Sequence, residues 1–138
     1  MKPFEIIEHT ADIGLRAFGR TKKELFENMA RGMFDILVDI KKVKPLVTEK
    51  VILSETDIEA LLAGWLNELL FVFEIKKMLF CDFKIKELRE TYLEAEAFGE
   101  KINSEKHEIT EDIKACTYHM LKVEKIGNHW VGEVIFDV

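Results

Sequence analysis

Apolar and polar positions alternate from the first residues of this chain. Phe4–Glu8 reads as a strand, breaks at His9-Thr10-Ala11-Asp12, and resumes as Ile13-Gly14-Leu15-Arg16-Ala17-Phe18, with Gly19 as the stop. The period then changes. Thr21 offers an N-cap, and Glu24 three positions on completes a capping box. Leu25, Met29, Met33, Ile36 and Leu37 follow at helical spacing, which predicts a helix over 22–38 whose apolar side covers a sheet. The charged, proline-bearing "DIKKVKPL" of 39–46 is a connection, and "VTEKVILSE" is a strand of β-branched residues.

A second cap at Thr56, with Asp57 and Glu59 in the first turn, opens a broader apolar stripe: Ile58, Leu61, Leu62, Trp65, Leu66, Leu69 and Phe73. This predicts a more deeply buried helix over 57–79. "CDFKIKELRE" and "TYLEAEAFGEK" then alternate with period two around a charged turn. After a polar loop at 102–108, "IKACTYHMLKVEK" and "NHWVGEVIFDV" form a closing hairpin about Gly127-Asn128. Two helices and about seven hairpin-connected strands give an α+β class. The expected architecture is a two-layer sandwich, a mostly antiparallel sheet with two main helices on one face. No repeat, linker or low-complexity tract divides residues 1–138, so one domain is expected.

Composition narrows function by exclusion. A net charge of −6 and a pI near 5.3 would repel phosphate, so strong direct nucleic-acid binding is not expected. Cys81 and Cys116 are too far apart for a CxxC pair and suggest structural thiols in a reducing compartment. "ALLAGWLNELLFVF" is interrupted by Asn67 and Glu68, and no leader pattern opens the chain, so a cytoplasmic protein without membrane contact is expected. No GxxxxGK or GxGxxG phosphate cradle occurs.

The candidates for chemistry are few. Asp12 lies in the break between two predicted strands, where a rigid scaffold can aim a functional group. Asp137 ends the last strand beside Val138 and its main-chain carboxylate. If these strand ends meet, hard oxygen donors converge that suit Ca²⁺, Mg²⁺ or Mn²⁺. The commoner use of such residues is plainer: an aspartate bonding its own turn, and a solvated terminus. His9 could ligate a metal or orient Asp12. In a regular strand, Lys114, Cys116 and Tyr118 would face one way and Ala115, Thr117 and His119 the other. A Cys116–His dyad can be drawn, but nothing in the sequence sets a base beside that sulfur.

"EHTADIGLRAFG" before a capped helix, "LLAGWLNELLFVFE" in the second helix, "IKACTYH", and the final "WVGEVIFDV" together resemble the archease family, in that family's order and over essentially the whole chain. The resemblance implies an accessory protein, not an enzyme. Its partner would be the RtcB-type RNA ligase that seals tRNA halves, with a tRNA methyltransferase as an older suggested partner. It further implies a divalent-metal site at Asp12, Asp137 and Val138, with His9, Thr10, Lys114 and His119 available to support the ion or touch the partner. Two other classes stay open: a chaperone-like adaptor for RNA-modifying enzymes, and an autonomous metal-dependent hydrolase using His9 or His119 as base.

Overall fold

The computed structural model describes residues 2–8 and 12–138. Two helices and eight strands follow in the order β1 (Phe4–Glu8), β2 (Asp12–Gly19), α1 (Lys22–Leu37), β3 (Val47–Ser54), α2 (Ile58–Lys76), β4 (Met78–Arg89), β5 (Tyr92–Lys101), β6 (Ala115–Cys116), β7 (Lys122–Ile126) and β8 (His129–Asp137). Every strand pair is antiparallel. The α+β reading holds, with one correction: the strands form two sheets. One has the path β1-β2-β8-β6, with β7 also on β8; the other is β3-β5-β4.

The helix α1 starts where its capping chemistry places it. Thr21 accepts from the Glu24 N–H at 3.1 Å, and Glu24 accepts from the Arg20 N–H at 3.0 Å. Its apolar side packs across both sheets, against β2 of one and β4 of the other. Phe34 lies at the junction, with ring centroids 5.5 Å from Phe80 and 5.8 Å from Phe83. The polar side of α1 is also used. Lys23 donates to Lys86 O, Glu27 accepts from the Ile85 N–H, and Arg31 pairs with Asp82 at 2.7 Å. These contacts cover β4, an outer strand whose register with β5 shifts at two bulges.

The helix α2 is apolar on most sides and correspondingly buried. The Trp65 indole N–H donates to Phe26 O at 3.0 Å, which lets the largest core side chain be fully covered without an orphaned donor. Its cap is Asp57, one residue past the expected Thr56, because the Asp57 carboxylate accepts from Ala60 N–H at 2.8 Å. Its end comes at Lys76 rather than 79: Lys77 turns left-handed (φ 56°), and β4 begins at Met78.

The larger departure is at 113–125, where one strand was expected. The pairing with β8 is split in two there, at Ala115–Cys116 and again from Lys122. The Thr117 hydroxyl then bonds to Ile135 O, Met120 takes a left-handed φ of 54°, and β7 resumes at Lys122. The final hairpin turns through Gly127 (φ 63°), as its Gly-Asn pair predicts.

Candidate functional site

The site begins with the register of β2 on β8. Ile13, Leu15 and Ala17 alternate toward α1, and Phe136 and Val134 of β8 do the same. Burying both rows fixes the pairing, since a one-residue slip would turn Phe136 out to solvent. The same register runs on to Asp12↔Asp137, which stand directly opposite on the face away from α1. Asp12 is therefore the first residue of β2 and not part of the break before it. On the other side of β8, Ala115 pairs with Asp137, and the Lys114 N–H donates to Asp137 O at 2.8 Å. Three strand ends thus meet at one corner.

Its electrostatics are unresolved internally. The Oδ1 atom of Asp12 is buried and has no hydrogen-bond partner among the described residues, while Asp137 is exposed. Among the described residues, no lysine, arginine or histidine forms an ion pair with either carboxylate. The ion pairs of this sheet lie further along: Arg16 bonds to Glu5 at 2.6 Å and Glu133 at 2.7 Å, and Lys122 bonds to Glu133 at 3.2 Å. Burial alone would raise the Glu133 carboxyl, but the hydrogen bonds from Arg16 and Lys122 outweigh it and hold that pKa below the usual range. Between the two rows, Ile7, Gly14 and Ile135 stand side by side and, with Met120, line an apolar hollow of about 440 Å³.

The donor set is hard and anionic, which suits a divalent cation of the calcium or magnesium type and not a thiolate-seeking metal. Among the described residues no three His, Cys, Asp or Glu side chains cluster, so the register brings two carboxylates together at this corner. His9 and Thr10 lie outside the described residues. Lys114 is placed beside the pair by its backbone, with its side chain exposed. His119 is exposed, and its backbone N–H donates to the Thr117 hydroxyl. No polar contact among the described residues links its ring to Asp12 or Asp137. Burial pushes the Cys116 thiol up to about 12 and raises Cys81 as well, so neither sulfur is an activated nucleophile.

Two further polar residues shape this region, Asn67, which the sequence shows only as a break in an apolar run, and His107, which no pattern in the sequence singles out. Asn67, on α2, accepts from the Cys116 N–H at 2.8 Å and donates to Cys116 O at 3.0 Å, so a side-chain amide replaces the missing strand on the outer side of β6. Its signal is a lone amide within an otherwise apolar run. His107 is buried; its Nδ1 accepts from Asn103 N–H, which leaves Nε2–H facing Lys42 O and Glu100, both at 3.1 Å. It ties the long segment before β6 to the body.

The model of the Archease protein family (MTH1598/TM1083) matches residues 4–138. The protein archease of Thermococcus kodakarensis is 42% identical over 142 residues, covering all of both chains. That of Methanosarcina mazei is 40% identical over 141 residues, covering 99% of this chain and 97% of its own. The solution structure of Methanobacterium thermoautotrophicum protein 1598 covers both chains completely, with a TM-score of 0.84 and 32% identity. A crystal structure from Thermotoga maritima, described as an archease, possible chaperone, has a TM-score of 0.66 at 24% identity, covers all of this chain and 97% of its own, and shares the fold. No helix among the described residues is long and apolar enough to cross a membrane.

Proposed function

The chain belongs to the archease family, and from that premise we propose that it is a non-catalytic accessory factor of an RtcB-type RNA ligase. In this role it promotes guanylylation of the ligase and its repeated turnover in joining tRNA halves. The observation that carries the proposal is the Asp12–Asp137 pair: two carboxylates directly opposed, one with a buried oxygen that has no partner among the described residues, at a corner the core register forces to the surface. Such an arrangement is costly unless something positive completes it.

Asp12, Asp137 and the main-chain oxygens of Val138 would hold a divalent cation there. When bound, the ion neutralises the carboxylates and offers a hard Lewis-acidic contact to the partner. What the chain's own residues do is positional. The β2–β8 ladder fixes the spacing of the two carboxylates, the Lys114 N–H holds the Asp137 carbonyl, and Asn67 holds β6 against the corner. The excess negative charge of the protein suits a ligase whose substrate channel is basic, and complementary potential of that kind mainly speeds and orients encounter.

The test is ligation by a purified RtcB-type ligase at limiting concentration, with GTP, with and without this protein. Wild type is expected to raise turnover, Asp12→Ala to fold normally and give none, and the protein alone to turn over nothing. Full stimulation by Asp12→Ala would overturn the assignment. Stimulation of a tRNA methyltransferase by Asp12→Ala as well as by wild type would instead favour the adaptor reading, which the description of the Thermotoga relative as a possible chaperone makes worth testing.

A further inference from the structure

The outer strands of the two sheets are treated unequally. On the three-stranded sheet, β4 is bulged and its side is occupied by Lys23, Glu27 and Arg31 of α1. On the five-stranded sheet, Asn67 occupies the outer side of β6. Among the described residues, the remaining outer strand of the smaller sheet, β3, has no such cover. It runs eight residues against β5 without a bulge.

The hydrogen-bond phase shows which groups it leaves open. The Glu55 N–H donates to Thr91 O at 3.0 Å, continuing the β3–β5 register, so the odd-numbered residues bond to β5. The N–H and C=O groups of Thr48, Lys50 and Ile52 therefore point away, and no hydrogen bond reaches them among the described residues. At the C-terminal half of the strand, a groove of about 430 Å³ opens between β3 and α2. Its walls are apolar and exposed: Ile52 at 63%, Phe71 at 59% and Tyr118 at 62%. Glu55 and Glu68 also line it, half-buried, and neither forms an ion pair among the described residues.

We propose that the β3 edge and its groove receive an extended segment of a protein partner in which apolar residues alternate with lysine or arginine, added as a fourth strand to the sheet. Main-chain pairing requires a peptide, which the open donors and acceptors of Thr48, Lys50 and Ile52 provide for. Strand alternation sends Ile52 to one side of the edge and Glu55 to the α2 side, where Gly64 lies against it. The partner's row beside Ile52 therefore suits apolar residues, and the row toward α2 meets Glu55 and Glu68 with Phe71 and Tyr118, which suits lysine or arginine, whose stems pack on apolar walls while the charge meets a carboxylate. The same carboxylates disfavour a phosphate-bearing ligand. A second copy of this chain is a poorer occupant, because "VTEKVILS" carries a single lysine and a glutamate and would not neutralise the groove. The open edge belongs to the smaller sheet, and neither Asp12 nor Asp137 lines the groove, so its failure would leave the ligase proposal standing.

The probe is a synthetic eight-residue peptide alternating Lys or Arg with Val or Ile, acetylated and amidated, and an analogue with Glu at every basic position. Backbone amide exchange of the full chain is followed by NMR. The basic peptide is expected to slow exchange at Thr48, Lys50 and Ile52 while leaving Val51 and Leu53 unchanged, and the acidic analogue to do neither. Ile52→Pro removes one outward donor, and Phe71→Ser removes an exposed wall side chain, so the latter serves if the proline variant does not fold. Each is expected to weaken binding by about 3- to 10-fold, the value of one net hydrogen bond or a comparable apolar contact. Unchanged amides, equal protection by the acidic analogue, or a solution dimer that Ile52→Pro dissociates would overturn the proposal.

Discussion

Replacing Asp12 by alanine should stabilise the metal-free protein, which is the reverse of what truncating a native strand residue usually does. Asp12 and Asp137 are a direct cross-strand pair, so their Cβ atoms stand about 4.5–5.5 Å apart, and the repulsion of two carboxylates at about 6 Å is roughly 0.7 kcal/mol in water-like surroundings and roughly 2.8 at an effective dielectric of 20. With Asp137 exposed, the lower part of that range applies. The Oδ1, with no partner among the described residues, adds a desolvation cost of about 1–3 kcal/mol. Against these terms alanine loses little, since both residue types are poor strand formers. The expected gain in EDTA is about 1–3 kcal/mol, or roughly 3–10 °C in Tm for a domain of this size. Added divalent cation then inverts the order. A ligand at a hundred times its Kd stabilises wild type by about 2.7 kcal/mol and leaves the variant where it was. Thermal unfolding followed by circular dichroism, first in EDTA and then with Ca²⁺, Mg²⁺ or Mn²⁺ in turn, reads both effects. An Asp12→Ala protein less stable than wild type in EDTA, or one that gains as much from every cation, would refute the reasoning.

Asn67→Leu should cost about 2–4 kcal/mol by leaving both Cys116 backbone groups unpaired, and Asn67→Asp nearly as much, because a carboxylate accepts from the Cys116 N–H but opposes its carbonyl; urea unfolding measures each. Gly99→Ala should cost about 3 kcal/mol or more and lower Tm by roughly 10 °C, since a Cβ there would lie 1.8 Å from Leu79 O on the paired strand, a backbone atom that cannot swing aside. The hydrogen bond from Lys106, with others from Lys44 N–H and His107, holds the Glu100 carboxyl at about 2 against an ordinary 4.5. A depressed carboxylate stabilises fully above the unfolded value, and that stability is lost as pH falls from about 4.5 through about 2. Glu100→Gln should therefore cost about 1–2 kcal/mol at pH 7 and only a small part of that near pH 2, the figure being held down because Lys106 is about a third exposed; unfolding at both pH values checks it.

What was legible in the sequence is what periodicity carries. The alternation of Ile13, Leu15 and Ala17, the capping box at Thr21 and the Gly-Asn turn all appear where the pattern placed them. What was not legible depends on contacts between distant segments. Two short runs of alternating residues look the same whether they share a sheet or divide between two, so the split into β1-β2-β8-β6 and β3-β5-β4 had no local signal. The end of α2 was misplaced because Lys77 adopts the left-handed turn usually left to glycine, held by the Ile102 N–H bonding to its carbonyl. At "IKACTYHMLKVEK" the alternation was real, yet the strand stops after Cys116, since Asn67 satisfies its outer side and the Thr117 hydroxyl takes the Ile135 carbonyl. For the candidate site, the residue types alone suggested hard-metal chemistry. From the strands alone the meeting of Asp12 and Asp137 was only a condition, which the family resemblance turned into an expectation, because cross-strand register is not written in either strand by itself.

That register also separates stability from function in this fold. On β2 and β8 the residues facing α1 supply the burial, and they alone are enough to lock the pairing. The opposite face inherits its geometry from that lock without contributing much to it, so an acidic pair can be held at fixed spacing although the pair itself is unfavourable. The same division applies to the strand edges. Where α1 or Asn67 covers an edge, the covering contacts belong to the folding of the domain. Where β3 is left open, with its lysine as the one cation along the strand, the edge can accept a partner without disturbing the core. Substitutions toward α1 should therefore move Tm first, whereas substitutions at Asp12, Asp137, Ile52 or Phe71 should move binding at little cost in stability. A single variant that reversed this order, losing fold at the outer face while sparing it at the inner one, would show that the two faces are not independent.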